Sequence, residues 1–200
     1  MKPNRAFTAL KQGLEEHPDL FRPWKGTIYR VATLKYSDPR EIVSGEGSYR
    51  YGGRWNAIES FPAVYGSTDD VVALKESKAN AEYANLPYPF REPRLVVAID
   101  VALSSVVDLT MAETLEKLEI SDEELRAEDW RKVQGQGIES FTQAVGRAIF
   151  AAKGEGLLAR SARVENGINV AYFPQNRRQE SELQLCEAQQ LRDLGLDNCK

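Results

Sequence analysis

Apolar and polar positions in this chain change period several times, and each change predicts an element. Residues 4–16 have helix-forming composition and run out ahead of Pro18, which predicts a short leading helix. Pro23 and Gly26 punctuate the chain, and Thr27-Ile28-Tyr29-Arg30-Val31-Ala32 then reads as a strand of branched and aromatic residues. Pro39, Gly45, Gly47, Gly52 and Gly53 predict one long loop over residues 37–53, a length usually tied to function or mobility. Ala63-Val64-Tyr65-Gly66 predicts a short buried strand. Ser67 and Thr68 offer an N-cap to a helix with Asp69 and Asp70 in its first turn, running to about Asn85 and stopping before Pro87.

The continuous apolar run in Arg94 to Val101 predicts a central strand. Residues 110–134 are charged and helical in composition, and Ser121-Asp122-Glu123-Glu124 matches a capping box. From Ile138 to Lys153, Ile138, Phe141, Val145, Ala148 and Ile149 fall on one helical face, and Gly154 and Gly156 end the pattern. Two strands follow, Gly156 to Ala162 and Ile168 to Phe173, with Asn166-Gly167 as a hairpin signal; residues 182–188 add a last strand. Strands and helices mix without a regular βαβ rhythm, so the fold class is α+β in a single domain.

Composition narrows the function classes. Two hundred residues, 42% of them apolar and 28% charged, describe an ordinary soluble chain large enough for a real core. No apolar run approaches the about 20 residues needed to cross a bilayer. The basic start, Met1 to Arg5, lacks the apolar stretch of a secretory signal, so the expected place is the cytoplasm, with no membrane role. A net charge of −4, with Lys and Arg dispersed, removes the electrostatic footprint of direct nucleic-acid binding, although a local positive pocket remains compatible with it. Cys186 and Cys199 lack metal-like spacing and read as two reduced thiols. His17 is the sole histidine and sits in a polar helix end, so neither a metal site nor a histidine-based nucleophile is expected.

The candidate chemistry lies in Gly52-Gly53-Arg54-Trp55-Asn56 and in Tyr65 and Glu76, 11 and 22 residues beyond Arg54. An arginine just past a flexible glycine pair is placed to make bidentate bonds to a pyrophosphate, with Arg30 as a second cation, although most arginines serve only surface ion pairs. The segment is neither a P-loop nor a dinucleotide fingerprint. Tyr65 offers a ring for a flat base, or a plain core tyrosine. On the predicted helix, Val72, Glu76, Ala79 and Tyr83 share a face, and a carboxylate in such a stripe is either solvated at its edge or held in a pocket. In a pocket it can stabilise the oxocarbenium-like state of glycosidic cleavage. Ser161 has no evident base and reads as a hydrogen-bonding group rather than a nucleophile.

These residues, in this order, resemble the RES-domain family, the toxins of RES–Xre toxin–antitoxin modules. The resemblance rests on Tyr29-Arg30-Val31, Gly52-Gly53-Arg54-Trp55-Asn56, Val64-Tyr65-Gly66-Ser67, Ala73-Leu74-Lys75-Glu76 and Arg160-Ser161, and spans about residues 26–175. It implies a RES domain over residues 23–188, with a helical extension at 1–22 and a tail at 189–200. It also implies an ADP-ribosyltransferase-like fold, a split, curved β-sheet surrounded by helices. The implied substrate is NAD⁺, broken at the nicotinamide–ribose bond with water or phosphate as acceptor. Arg54, Tyr65, Glu76 and Ser161 would be the catalytic set, Arg30, Arg54 and Tyr65 would bind NAD, and no metal is needed. The implied partner is an Xre-like helix-turn-helix antitoxin, with a homodimer left open. Two other outcomes stay open: transfer of ADP-ribose to a protein, and a non-catalytic module that binds NAD or the antitoxin.

Overall fold

The computed structural model describes residues 1–33, 35, 38–83 and 94–186. In chain order the elements are α1 (Phe7–Glu16), β1 (Phe21–Thr33), α2 (Pro39–Ile42), α3 (Glu46–Tyr51), β2 (Val64–Ser67), α4 (Asp70–Tyr83) and β3 (Arg94–Asp108). They continue with α5 (Ala112–Lys117), α6 (Asp122–Ala127), α7 (Trp130–Gly135), α8 (Phe141–Ala151), β4 (Gly156–Arg160), β5 (Ile168–Tyr172) and β6 (Glu182–Leu185). Among the described residues, no helix is long and apolar enough to cross a membrane.

The six strands form one sheet in the order β1-β2-β5-β4-β3-β6, and β1 also pairs with β3. Five strands therefore return on themselves, which a sheet achieves only by curving strongly. The β1–β3 ladder is long and antiparallel, from Phe21↔Val107 to Thr33↔Arg94. The β1–β2 junction is a single registered pair, Tyr29↔Ser67. At that narrow junction the wall of the sheet parts, and the cavity described below opens beside it.

The core has two parts. On one side of the sheet, Leu10 and Leu14 of α1 meet Val145, Ala148 and Ile149 of α8 and Leu157 of β4. Phe61 closes this layer, stacking on Phe150 at 4.2 Å and meeting Phe173 edge-on at 5.1 Å. On the other side, Ile28, Val64, Ile99, Leu158 and Val170 pack together. Each such buried aliphatic side chain contributes about 1.5–3 kcal/mol relative to exposure.

Several sequence expectations need correction. Strand β1 runs straight through Pro23 and Gly26. The ladder shifts register between Arg22 and Trp24, so Pro23 occupies a bulge where it need donate no ladder hydrogen bond. The region 37–53 contains two short helices. Asp38 caps α2 by accepting from Arg40 N–H, and Gly45 (φ +70°) and Gly52 (φ +75°) bound α3 at its two ends, so these two glycines delimit a helix rather than forbid one. Helix α4 is capped by Asp69, whose carboxylate accepts from Val72 N–H at 3.0 Å, not by Ser67 or Thr68. Its predicted end near Asn85 lies outside the described residues. The buried face of α4 is Val72, Ala73, Ser77 and Ala81; Glu76 flanks that face and Tyr83 is exposed. Residues 110–134 form three short helices, the second capped by Ser121, whose hydroxyl accepts from Glu124 N–H. A reciprocal capping box occurs instead at Ser140 and Gln143, and Ile138 lies outside α8 and exposed. The β4–β5 connection spans residues 161–167, with Asn166 in the left-handed region.

Candidate active site

One cavity of about 460 Å³ gathers Arg30 from β1, Gly53 and Arg54 from the segment after α3, Tyr65 from β2 and Glu76 from α4. Ser161 stands directly behind Glu76. Four of the five residues singled out from the sequence, Arg30, Arg54, Tyr65 and Glu76, thus line one concave space, whereas the buried Ser161 does not line it and reaches it only through its hydrogen bond to Glu76.

The segment carrying Arg54 is held from below. Gly53 N–H donates to Asn56 O at 2.8 Å, and the Asn56 amide donates to Ser48 O and Phe61 O, both at 2.9 Å. The Tyr65 hydroxyl donates to Asn56 Oδ1 at 2.7 Å and accepts from Trp55 N–H at 2.9 Å. From α8, Gln143 Nε2 donates to Gly53 O at 3.0 Å. A Cβ at Gly53 would overlap the Tyr65 phenol, so only glycine permits this approach. Burial pushes the Tyr65 phenol well above its ordinary pKa, so at neutral pH it is a fixed donor and not a base.

The cations are partly desolvated. Arg54 Nη1 donates to Leu125 O at 2.7 Å, and burial lowers its pKa while the Glu76 carboxylate opposes that shift. Arg30 Nη1 donates to Tyr65 O at 3.2 Å, its Nε is buried without a hydrogen-bond partner, and burial lowers its pKa too. A buried guanidinium short of partners is costly in the free protein and suited to an incoming anion.

Glu76 is oriented rather than loose. Its Oε1 accepts from Ser161 Oγ at 2.6 Å and from Asn169 Nδ2 at 2.8 Å, and Asn169 Oδ1 accepts from Ser67 Oγ at 2.7 Å. Ser161 Oγ also accepts from Arg163 N–H and Val164 N–H, each at 3.0 Å. Glu76 Oε2 has no hydrogen-bond partner among the described residues.

Sequence reasoning missed Asn169, Arg94, Arg131 and Arg163, all of which line the cavity. Asn169 becomes legible only once β5 is paired with β2, which sets Ser67 opposite Asn169. Arg131 rests on the Trp130 ring at 4.3 Å and the Tyr83 ring at 4.8 Å, and donates to Asn80 Oδ1 at 2.5 Å. His17 ends α1 and does not line the cavity, and Cys186 is a free, half-buried thiol. Among the described residues no group of acidic, histidine or cysteine side chains could hold a metal ion.

The RES domain family model matches residues 27–193. The chain belongs to the RES domain family. It is 30% identical over 176 residues to the NAD(+) phosphorylase MbcT of Mycobacterium tuberculosis (strain H37Rv) and to that of Mycobacterium bovis, covering 84% of this chain and 86% of each relative. Its fold matches a chain in the crystal structure of the M. tuberculosis MbcT–MbcA toxin–antitoxin complex, with a TM-score of 0.68, 24% identity and 90% of each chain covered.

Proposed function

We propose that this RES protein is a toxin that degrades NAD⁺ by breaking the bond between nicotinamide and ribose, with phosphate or water as acceptor. The observation that carries the reading is the Glu76 carboxylate, fixed by Ser161 and Asn169 on one oxygen and open on the other, in a cavity whose other charged lining residues, among those described, are arginines. The naming of its relative as an NAD(+) phosphorylase supports the same chemistry. The curvature of the sheet around the cavity is in keeping with an ADP-ribosyltransferase-like fold.

As the nicotinamide bond breaks, positive charge develops on the ribose ring, and the free Glu76 oxygen stabilises it. Arg30 and Arg54 take the pyrophosphate, which supplies Arg30 with the counter-charge it lacks. The Tyr65 ring forms a wall on which nicotinamide stacks, while its hydroxyl holds the Arg54 segment. The Ser161 hydroxyl has one proton, given to Glu76, and already accepts two N–H groups. It is therefore a positioning residue for Glu76. The partner in this reading is an Xre-like helix-turn-helix antitoxin that covers the cleft, supported by the toxin–antitoxin pairing of the structural relative.

The test is nicotinamide release from NAD⁺ by purified protein in phosphate buffer, followed chromatographically, with Glu76→Gln as control. Release by the wild type and not by the variant is expected. A folded wild type that binds NAD⁺ and frees no nicotinamide defeats the reading, and label from NAD⁺ appearing on a protein band replaces it with transfer to a macromolecule.

A further inference from the structure

A second cavity, of about 230 Å³, lies on the face of the sheet that carries Ile28, Val64 and Val170. Val43, Ile99, Leu183 and Leu185 wall it with aliphatic side chains, and Tyr172 and Arg177 are the polar groups of its described lining. No carboxylate is among those lining residues. Along β2, Val64 packs on this side while its neighbour Tyr65 packs on the other, so the two cavities are separate.

Tyr172 is only 2% exposed, yet its hydroxyl has no hydrogen-bond partner among the described residues. A polar group taken from water without a replacement bond is costly and calls for a partner. The oxygen keeps some accessible surface, so it opens on the cavity that the residue lines. Burial pushes its pKa up to about 12, so at neutral pH the phenol keeps its proton and is a donor. Arg177 acts on the same phenol in the opposite direction, which sets its charge nearby. Its Nε and Nη2 both donate to Ser181 O, at 3.1 and 3.0 Å, and Nη1 has no hydrogen bond among the described residues. Glu155 also acts on the phenol, but its oxygens are taken: Oε1 accepts from Arg178 N–H, and Oε2 from Ser104 N–H and Ser105 N–H. The guanidinium at the rim is therefore left without a paired carboxylate.

We infer that this cavity binds a small monocarboxylic acid with an aromatic or medium-chain aliphatic body, whose carboxylate takes the Tyr172 hydroxyl and Arg177. The charge and the donors match one carboxylate. A neutral ligand leaves the guanidinium uncompensated, and a dianion has to share the chamber with four aliphatic side chains. The volume fits as well. An aliphatic-lined cavity of roughly 150 Å³ holds one benzene ring, and this one has room for such a ring, or an alkyl chain, together with the carboxylate. The inference is independent of the NAD⁺-cleaving reading.

The test is methyl-observed NMR of the full chain titrated with benzoate, hexanoate and hexanol, for wild type, Tyr172→Phe and Arg177→Gln. With either acid, saturable shifts should concentrate on the methyls of Val43, Ile99, Leu183 and Leu185. Hexanol keeps the chain and loses the charge, and should bind about tenfold or more weakly than hexanoate. Each variant should weaken binding of both acids by about tenfold or more. Tyr172→Phe keeps the ring and removes an unpartnered hydroxyl, so its Tm should hold or rise, and it reports even if Arg177→Gln disturbs the turn at Ser181. A lower Tm for Tyr172→Phe shows the hydroxyl already partnered and overturns the site. Acid-induced shifts confined to Val31 and Ala73 in the arginine-lined cleft overturn it too, as do equal binding of hexanol and hexanoate or variants that bind the acids like wild type. Absence of saturable shifts with every probe leaves the cavity to water and ends the inference.

Discussion

Ser161 Oγ lies 2.6 Å from Glu76 Oε1, a bond between residues 85 apart in the chain that joins the β4–β5 turn to α4. The same oxygen accepts the N–H groups of Arg163 and Val164, so one hydroxyl fixes both the carboxylate and the turn that presents Arg163. Ser161→Ala should leave two N–H groups without that acceptor and cost about 1–3 kcal/mol in urea unfolding. Turnover should fall roughly 10- to 100-fold through misplacement of Glu76, with the KM for NAD⁺ little changed. Ser161→Thr keeps the hydroxyl and should recover part of kcat. Equal kcat in Ser161→Ala and wild type would remove the positioning role.

Glu76→Gln keeps shape and removes charge. The loss should be at least about 100-fold in kcat, the scale of removing one electrostatic partner of a charged transition state. NAD⁺ affinity by calorimetry should hold or tighten, because the arginines keep their field and lose a competing carboxylate. A variant with near wild-type turnover places the cation-stabilising group elsewhere.

Arg30 makes stability and function pull apart. Its buried Nε lacks a partner, so the free protein carries a poorly compensated charge. Arg30→Met should leave thermal stability unchanged or raise it, while the KM for NAD⁺ climbs about tenfold or more. Melting curves with and without NAD⁺ read both effects. A strongly destabilised variant would show that the guanidinium serves the fold.

What the sequence made legible was local or carried by spacing. The Gly52-Gly53-Arg54 run marked a place for glycine's freedom beside a ligand, and the structure shows Gly53 packed against the Tyr65 side chain. Glu76 stood out because a carboxylate beside apolar positions needs a reason. Asn169 and Arg163 did not stand out, since their meaning comes from the pairing of β5 with β2 and from a turn bonded to Ser161, both long-range facts. Arg131 was hidden in a charged stretch whose helix composition says nothing of which face meets Trp130 and Tyr83. Pro23 misled because a proline breaks a strand only where its N–H is needed, and a bulge removes that need.

Two buried phenols give stability a defined alkaline limit. Tyr65 is pushed well above the ordinary tyrosine pKa by burial, and Tyr172 up to about 12. In the unfolded chain both ionise near pH 10, so above that the unfolded state holds fewer protons than the native one. The stabilisation is complete below about pH 10 and declines above it, by up to about 1.4 kcal/mol per pH unit for each phenol. Urea unfolding at stepped pH should show this decline, and Tyr65→Phe should show a shallower one. The same slope in both proteins would remove Tyr65 as a contributor.

Asn169→Asp tests the network through charge instead of deletion. Asn169 donates to Glu76 Oε1 and accepts from Ser67. An aspartate keeps the acceptor and loses the donor, setting two carboxylates against one another. Such a pair cannot readily hold both charges, so it retains a proton and its upper pKa rises. At acid pH the shared proton bridges the oxygens as the amide did, and Glu76 stays in place. As pH rises through the raised pKa the proton leaves, the carboxylates repel, and the added negative charge opposes the diphosphate. The variant should therefore keep its greatest activity on the acid side and lose it toward alkaline pH, relative to the wild-type profile over the same range. A variant profile parallel to wild type would mean that Asn169 does not orient Glu76 during turnover.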